Sequence, residues 1–303
     1  MKKFICLCLV LSLVCLFASC SGSTQGNGDS NDVGSNQVSV TKANRDYFEW
    51  DPVDASVIDG CSAKGLKQKE LVIPMECTKI SGGAFAENGI LEKVSFENPD
   101  TIINLGAFRQ CTALKSVELP KNLKALDSSV FYECTSLEYI VIPDSVTEIG
   151  SNAFYGCTSL TTIQINSNLT NIGRKAFSMC TSLNEINIPD SVTEVEKSAF
   201  EGCSALTKVE FGSGISTIGD YAFQDCISLK EIKLQEGVKE IGATAFGYCH
   251  AVEDIYLPQS VETIDKTTLA QNHKFNLHIY EGSYVDQNLS LMVGNDMFNV
   301  VYE

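Results

Sequence analysis

Cysteine is the residue of this chain with the widest choice of chemistry. Thirteen cysteines stand among 303 residues, enough to supply disulfides, metal ligands or a reactive thiol. Their spacing argues against each use. Cys111, Cys134, Cys157, Cys180, Cys203, Cys226 and Cys249 recur every 23 residues, too far apart in sequence for a compact ligand motif. There is no C-x-x-C or H-x-x-x-H, and His250, His273 and His278 are scattered, so no zinc set is nominated. Asp29 and Asp32 lack the D-x-D-x-D-G run of a calcium loop. Neither G-x-S-x-G nor a glycine-rich phosphate loop occurs. The many Ser, Asp and Glu residues recur with the same period, as turn and surface residues do. No catalytic residue, metal or cofactor is therefore nominated, and the chain reads as a non-enzyme.

The period itself carries the information. Phe85, Phe108, Phe131, Phe154, Phe177, Phe200, Phe223 and Phe246 precede the cysteine places by three, and Leu269 takes the ninth place. Asn88 and Asn272 close the cysteine column at either end. Ile or Leu or Val stands five before each Phe, Leu or Val six after, and two further apolar columns follow, such as Ile140 with Ile142. One unit reads C-x-x-L-x-x-I-x-I-P-x-x-V-x-x-I-G-x-x-A-F-x-x. The x-I-x-I stretch alternates and is β-branched, which predicts a strand, and Pro143, Pro189 and Pro258 end it by withholding an amide donor. Gly150, Gly173, Gly219 and Gly242 suit a turn that needs permissive backbone angles. A short helical or 3₁₀ turn is expected around Ala-Phe, on the opposite side. A lone unit cannot bury its apolar face; about nine stacked units can.

The repeat resembles the 23-residue leucine-rich repeat of the BspA-like family of bacterial surface proteins. CTSLEYIVIPDSVTEIGSNAF, residues 134–154, lies close to the family pattern, and the resemblance covers about residues 71–281. It implies a curved right-handed β/3₁₀ solenoid with short parallel strands, and a role in adhesion or host contact. Asn104, Asp127 and Glu196 replace the turn glycine, and the ninth repeat, with Phe275, Leu277 and Ile279, runs one residue out of step. Leucine-rich repeats place Asn or Cys where the seven cysteines stand, turned inward to backbone groups. Stacked thiols pointing the same way are badly placed for a disulfide torsion near 90°, so a ladder of reduced structural thiols is expected. Cys77 falls in a column of valines and reads as a small buried hydrophobe; Cys61 has no evident place.

The flanks set location and limits. Lys2 and Lys3 precede the apolar run Phe4–Ala18, too short for a comfortable membrane span of roughly 20 residues. The run closes on Phe17-Ala18-Ser19-Cys20, which resembles a bacterial lipobox. That implies a lipoprotein signal over 1–19, lipid on Cys20, and a flexible Ser/Gly/Asn/Asp linker over 20–45. Residues 46–70 and 282–303 are expected to cap the two ends. The net charge is −16, or −18 once the two lysines leave with the signal, which repels nucleic acid and anionic lipid headgroups. Export to the bacterial outer membrane or cell surface follows, with lipid the only membrane contact and a monomer the simplest state.

Function then falls to the outward positions of the strand, the concave face, which vary freely while the inward columns hardly change. Tyr139, Val141, Thr162, Gln164, Glu185, Asn187, Lys208, Glu210 and Tyr256 are the candidate binding residues, with Tyr139, Val141 and Tyr256 as anchors because exposed aromatics favour hot spots. The expected partner is a protein or glycan on a host or neighbouring cell. Two other roles fit the same features: a glycan or peptide capture component beside a transporter, and an inward-facing periplasmic scaffold. Asp144-Ser145-Val146 and Asp190-Ser191-Val192 resemble an O-glycan acceptor of some bacteria, and equally suit a strand-initiating turn.

Overall fold

The alternating x-I-x-I stretches form short strands that stack in parallel, each a 23-residue step from the last. Tyr139–Val141 pairs with Thr162–Gln164 in the register Tyr139↔Thr162, Ile140↔Ile163, Val141↔Gln164, and Glu185–Asn187 pairs likewise with Lys208–Glu210. These relations come from a computed structural model that describes residues 44–293 and 296–303; the expected signal segment, the expected lipid site at Cys20 and the expected linker up to residue 43 lie outside the described residues. The result is a parallel β-solenoid of about 11 turns with little helix.

A second strand ladder was not foreseen. The Thr-Glu-Ile stretch before each turn glycine forms two-residue strands, and seven of them, from Ala125–Leu126 to Thr263–Ile264, join in one parallel sheet. Two residues with only one turned inward leave no alternation to read, so sequence pattern misses them.

The side bearing Ala-Phe is a stack of reverse turns in place of a helical turn. In one rung, the Ala153, Tyr155 and Cys157 N–H groups donate three residues back, to Gly150, Asn152 and Phe154. The intervening Asn152, Phe154 and Gly156 N–H groups donate to Arg174, Ala176 and Ser178 of the next rung. Residues two before and two after the phenylalanine adopt left-handed backbone angles, with φ from 52° to 63° at thirteen non-glycine positions including Ser129, Glu133, Lys175 and Met179. Each such residue costs on the order of 1–2 kcal/mol, offset by the rung-to-rung hydrogen bonds it permits. These residues also break any helical run.

The glycines at 150, 173, 219 and 242 have a different task from the one their sequence suggested. None adopts a positive φ. A Cβ at each would instead lie 2.5–2.9 Å from the nearest backbone atom of the preceding rung, so glycine is there to let two rungs touch.

Between the two ladders and the turns lies the core. The eight phenylalanines are buried and stack in register, with centroids 5.1–5.7 Å apart and planes within 4–18°. Seven of the eight phenylalanine carbonyls accept twice, while Phe246 O accepts from Asn272 and the Cys249 N–H turns to Asn272 Oδ1. Phe131 O takes the Cys134 N–H of its own rung at 3.1 Å and the Cys157 thiol of the next at 3.1 Å. The same thiol bond recurs for all seven cysteines at 3.1–3.4 Å, and burial pushes the Cys111, Cys203 and Cys249 thiols up to about 12. A protonated thiol is the form that can donate. Asn272 does the same job at the far end, its Nδ2 donating to Phe246 O at 3.0 Å. At the near end Asn88 turns its Oδ1 to the Ile90 and Leu91 N–H groups, while its buried Nδ2 has no protein partner.

Both ends are closed by irregular structure. Phe48–Trp50 runs antiparallel to Val57–Cys61, and Phe48 meets Phe85 edge-on at 6.1 Å, ending the aromatic stack. Cys61 finds its place here, half-buried with its thiol 3.6 Å from Tyr47 O. At the other end Phe298–Tyr302 pairs in parallel with Phe275–Ile279. His278 holds this last strand: its Nε2 is 2.9 Å from Asp254 Oδ1 and its Nδ1 2.6 Å from Glu303 Oε1. A neutral imidazole has only one N–H, so carboxylates on both nitrogens require the charged ring. Desolvation opposes that charge, but the hydrogen bonds to Asp254 and Glu303 outweigh it and raise the pKa.

Two predictions follow from these contacts. Cys180→Ala strips one donor from Phe154 O and should cost about 1–3 kcal/mol in urea unfolding; the seven ladder thiols should be labelled by a thiol reagent no faster than the domain unfolds, after Cys61. Labelling of a ladder thiol far ahead of unfolding would refute this account. For His278 the raised folded pKa means its stabilisation is complete below the unfolded value, about 6.5, and is lost as pH rises through the folded one. The urea midpoint should therefore fall between pH 6 and 8, and His278→Asn should flatten that slope; an unchanged slope in the variant would show that the clamp contributes nothing.

Candidate binding face

Strand alternation places every second residue of the first ladder outside. On that face Tyr139 and Val141 stand 53% and 48% exposed, and Thr162, Gln164, Glu185, Asn187, Lys208 and Glu210 are exposed as well. Parallel register lines up Tyr139 with Thr162, Val141 with Gln164, Glu185 with Lys208 and Asn187 with Glu210. Eight of the nine candidate residues thus lie on four consecutive rungs of one face.

Tyr256 is the exception. It lies against the His278 ring at 4.0 Å with planes 18° apart, and Lys233 Nζ sits 5.4 Å from its centroid. It is half-buried, with its ring against the His278 clamp and on the border of a separate, smaller depression of about 280 Å³. The out-of-step ninth repeat explains this: the register shortens to Asp254↔Asn276 and Tyr256↔His278, which sets the histidine beside the tyrosine.

Charges on the face pair among themselves. Lys93 Nζ lies 2.7 Å from Glu118 Oε1, and Lys208 Nζ 2.6 Å from Glu210 Oε1. Both pairs are well exposed, so each stabilises the fold by little. Between them the Tyr139–Val141 and Thr162–Gln164 strands carry no charge, and the Glu185–Asn187 strand carries one, Glu185.

Beside Tyr139 is an open depression of about 620 Å³, bordered by Glu118, Leu119, Tyr139, Val141, Asp144 and Gln164. Leu119 and Asp144 were not among the candidates. Leu119 belongs to an inward column and is only partly covered, and Asp144 is reached by the corner after Pro143; neither position announces itself in one repeat. A second feature lies on the turn side, where Tyr132 and Tyr155 stack at 4.9 Å and the Arg109 guanidinium stands 5.5 Å from the Tyr132 ring. Reading the residue after each phenylalanine as a column would have found it. The Ser145 and Ser191 hydroxyls are engaged: Ser145 Oγ donates to Lys121 O and Leu123 O at 2.8 and 2.7 Å, and Ser191 Oγ to Ser167 O and Leu169 O. Each serine ties its corner to the rung before, as a turn residue does.

Chemically, the face offers an apolar plate, free hydroxyls and amides, and locally neutral charge. Among the described residues no group of three or more His, Cys, Asp and Glu is placed to hold a metal ion, and no helix is long and apolar enough to cross a membrane.

Comparison with known proteins agrees with this architecture. The family model for the BspA type leucine-rich repeat region matches residues 55–161 and 147–276, with six copies. A leucine-rich repeat protein from Bacteroides ovatus is 30% identical, with a TM-score of 0.60 over 78% of this chain and 66% of that one; the chain thus spans about two thirds of that protein's length. The leucine-rich repeat protein of T. pallidum shares the fold at 24% identity and a TM-score of 0.56, over 70% of this chain and 91% of that one. No curated protein matches. With its repeats matched over most of its length, the chain belongs to the BspA-type leucine-rich-repeat family.

Proposed function

We propose that this chain is a non-catalytic binding protein of the bacterial surface, held by lipid on Cys20 and carrying its recognition site on the strand face around Tyr139 and Val141. One observation carries the reading: Tyr139 and Val141 stand exposed side by side over a depression, on a ladder whose outward residues differ from rung to rung. Every inward column is held nearly constant by packing, whereas an outward change on a strand costs the fold little. Specificity is free to vary at such positions. The family is one of interaction scaffolds, which supports a binding role; adhesion to a host or neighbouring cell is the form of it that a lipid anchor and polar linker suit.

Protease shaving of intact cells, with Cys20→Ala as control, tests the display. The repeat domain should be cleaved from wild-type cells, and the control should be released into the medium. Protection until the envelope is broken would instead favour an inward-facing scaffold. For the site, Tyr139→Ala with Val141→Ala should lower cell adhesion at least tenfold while moving the unfolding midpoint by no more than about 0.5 kcal/mol. Full adhesion by this double variant would remove the strand face from the reading.

A further inference from the structure

The composition of the strand face narrows what it binds, and this step rests on the binding role proposed above. One residue in five of the chain is charged and the net charge is −16, yet the two rungs around the depression are neutral. Tyr139, Val141, Thr162 and Gln164 have no charged neighbour on their own strands. Further out, the Lys93–Glu118 and Lys208–Glu210 pairs cancel their own charges, and the adjoining Glu185–Asn187 strand adds one carboxylate, Glu185. Lys121 and Asp144, of opposite sign, stand at the rim.

The polar groups of this island differ from their counterparts elsewhere. At the corners, hydroxyls and amides of the same types are tied to the previous rung: Thr161 Oγ1 to Glu138 O at 3.1 Å, Thr207 Oγ1 to Asn184 O at 3.1 Å, and Asn166 Nδ2 to Pro143 O at 2.6 Å. The side-chain polar atoms of Tyr139, Thr162, Gln164 and Asn187 make no such bond among the described residues. They present donors and acceptors together, as vicinal hydroxyls require. The exposed Tyr139 ring adds an apolar face with a polar tip, and a depression of about 620 Å³ falls in the range of small-ligand sites, roughly 300–1,000 Å³.

We infer that the Tyr139–Gln164 island is a subsite for a neutral oligosaccharide, the tyrosine ring lying on the C–H face of one sugar and Gln164 bonding its hydroxyls. Sialylated, uronic and sulfated glycans are disfavoured, because the surrounding protein repels anions and the cation on the rim, Lys121, is outnumbered there by Glu118 and Asp144.

The test uses the full lipidated chain in a detergent without a sugar headgroup, titrated calorimetrically with neutral linear tetrasaccharides (gluco-, galacto-, manno- and xylo-) and with their sialylated or sulfated counterparts. At least one neutral tetrasaccharide should bind, with affinity changing less than twofold between 50 and 500 mM NaCl. Tyr139→Ala and Gln164→Ala should each weaken it tenfold or more, Tyr139→Phe less than threefold, and Lys239→Ala, on the other ladder, not at all. Stronger, salt-sensitive binding of the anionic set would overturn the inference. If no tetrasaccharide binds but Tyr139→Ala still abolishes cell adhesion, the face is a protein-docking surface: the inference falls and the binding role stands. If neither sugar binding nor adhesion depends on Tyr139, both fall.

Discussion

Seven phenylalanine carbonyls in the turn stack each take donors from two rungs, and much else in the molecule is arranged around that pairing. A buried carbonyl with only one partner loses stability. The Phe131 oxygen meets this by taking the Cys134 N–H and the Cys157 thiol. The donor must be short, buried and protonated, which cysteine satisfies and an ionised or disulfide-bonded sulfur does not. The bond also fixes phase, since a rung slipped by one residue would carry the thiol away from the carbonyl and the phenylalanine off its neighbour at the same time. Hence the 23-residue period is kept in both columns together. Among the described residues the seven ladder cysteines form no disulfide, because their sulfur serves as a hydrogen-bond donor within a core that keeps the thiol neutral.

How much of this was legible in the sequence depended on whether a property repeats as a residue type. The core was readable almost in full, because packing selects Phe, Leu and Ile column by column. The left-handed positions were invisible: Ser129, Lys175, Met179 and Tyr221 share a backbone angle but no chemistry. The glycines misled for the converse reason, since Gly150 and Gly173 mark a close approach between rungs and not an unusual φ. On the candidate face, register alone placed Tyr139, Val141, Thr162 and Gln164 together. It failed at Tyr256, where the repeat loses a residue and the ring is taken up by His278. The depression lay beyond reach because its wall comes from Leu119 and Asp144, which belong to the core column and the corner.

A solenoid is stabilised by contacts between neighbours, so its ends are its least supported parts. Here both ends carry charged clasps. Arg45 stacks 3.8 Å over Trp50 and reaches Glu76 at 3.1 Å, and His278 bridges Asp254 and Glu303. The histidine clasp is the one whose charge is set to change near neutral pH, its pKa raised by Asp254 and Glu303 against the desolvation that opposes it, and it makes that end sensitive to pH.

The proposed site lies away from both clasps. The Tyr139–Val141 strand pairs with Thr162–Gln164 on one side and has the Ser116–Val117 strand on the other, and the phenylalanines beneath it, Phe131 and Phe154, are stacked on both faces. Ordering a loop or side chain on binding costs roughly 0.5–1.5 kcal/mol per immobilised group. A tyrosine already standing on a fixed strand avoids the backbone share of that cost, which is why few contacts could suffice for a small neutral ligand. The same rigidity explains why recognition would change by substitution and not by movement: the backbone under each outward side chain is fixed by carbonyl, thiol and ring on the far side of the rung, and the face inherits its geometry from a core it does not touch.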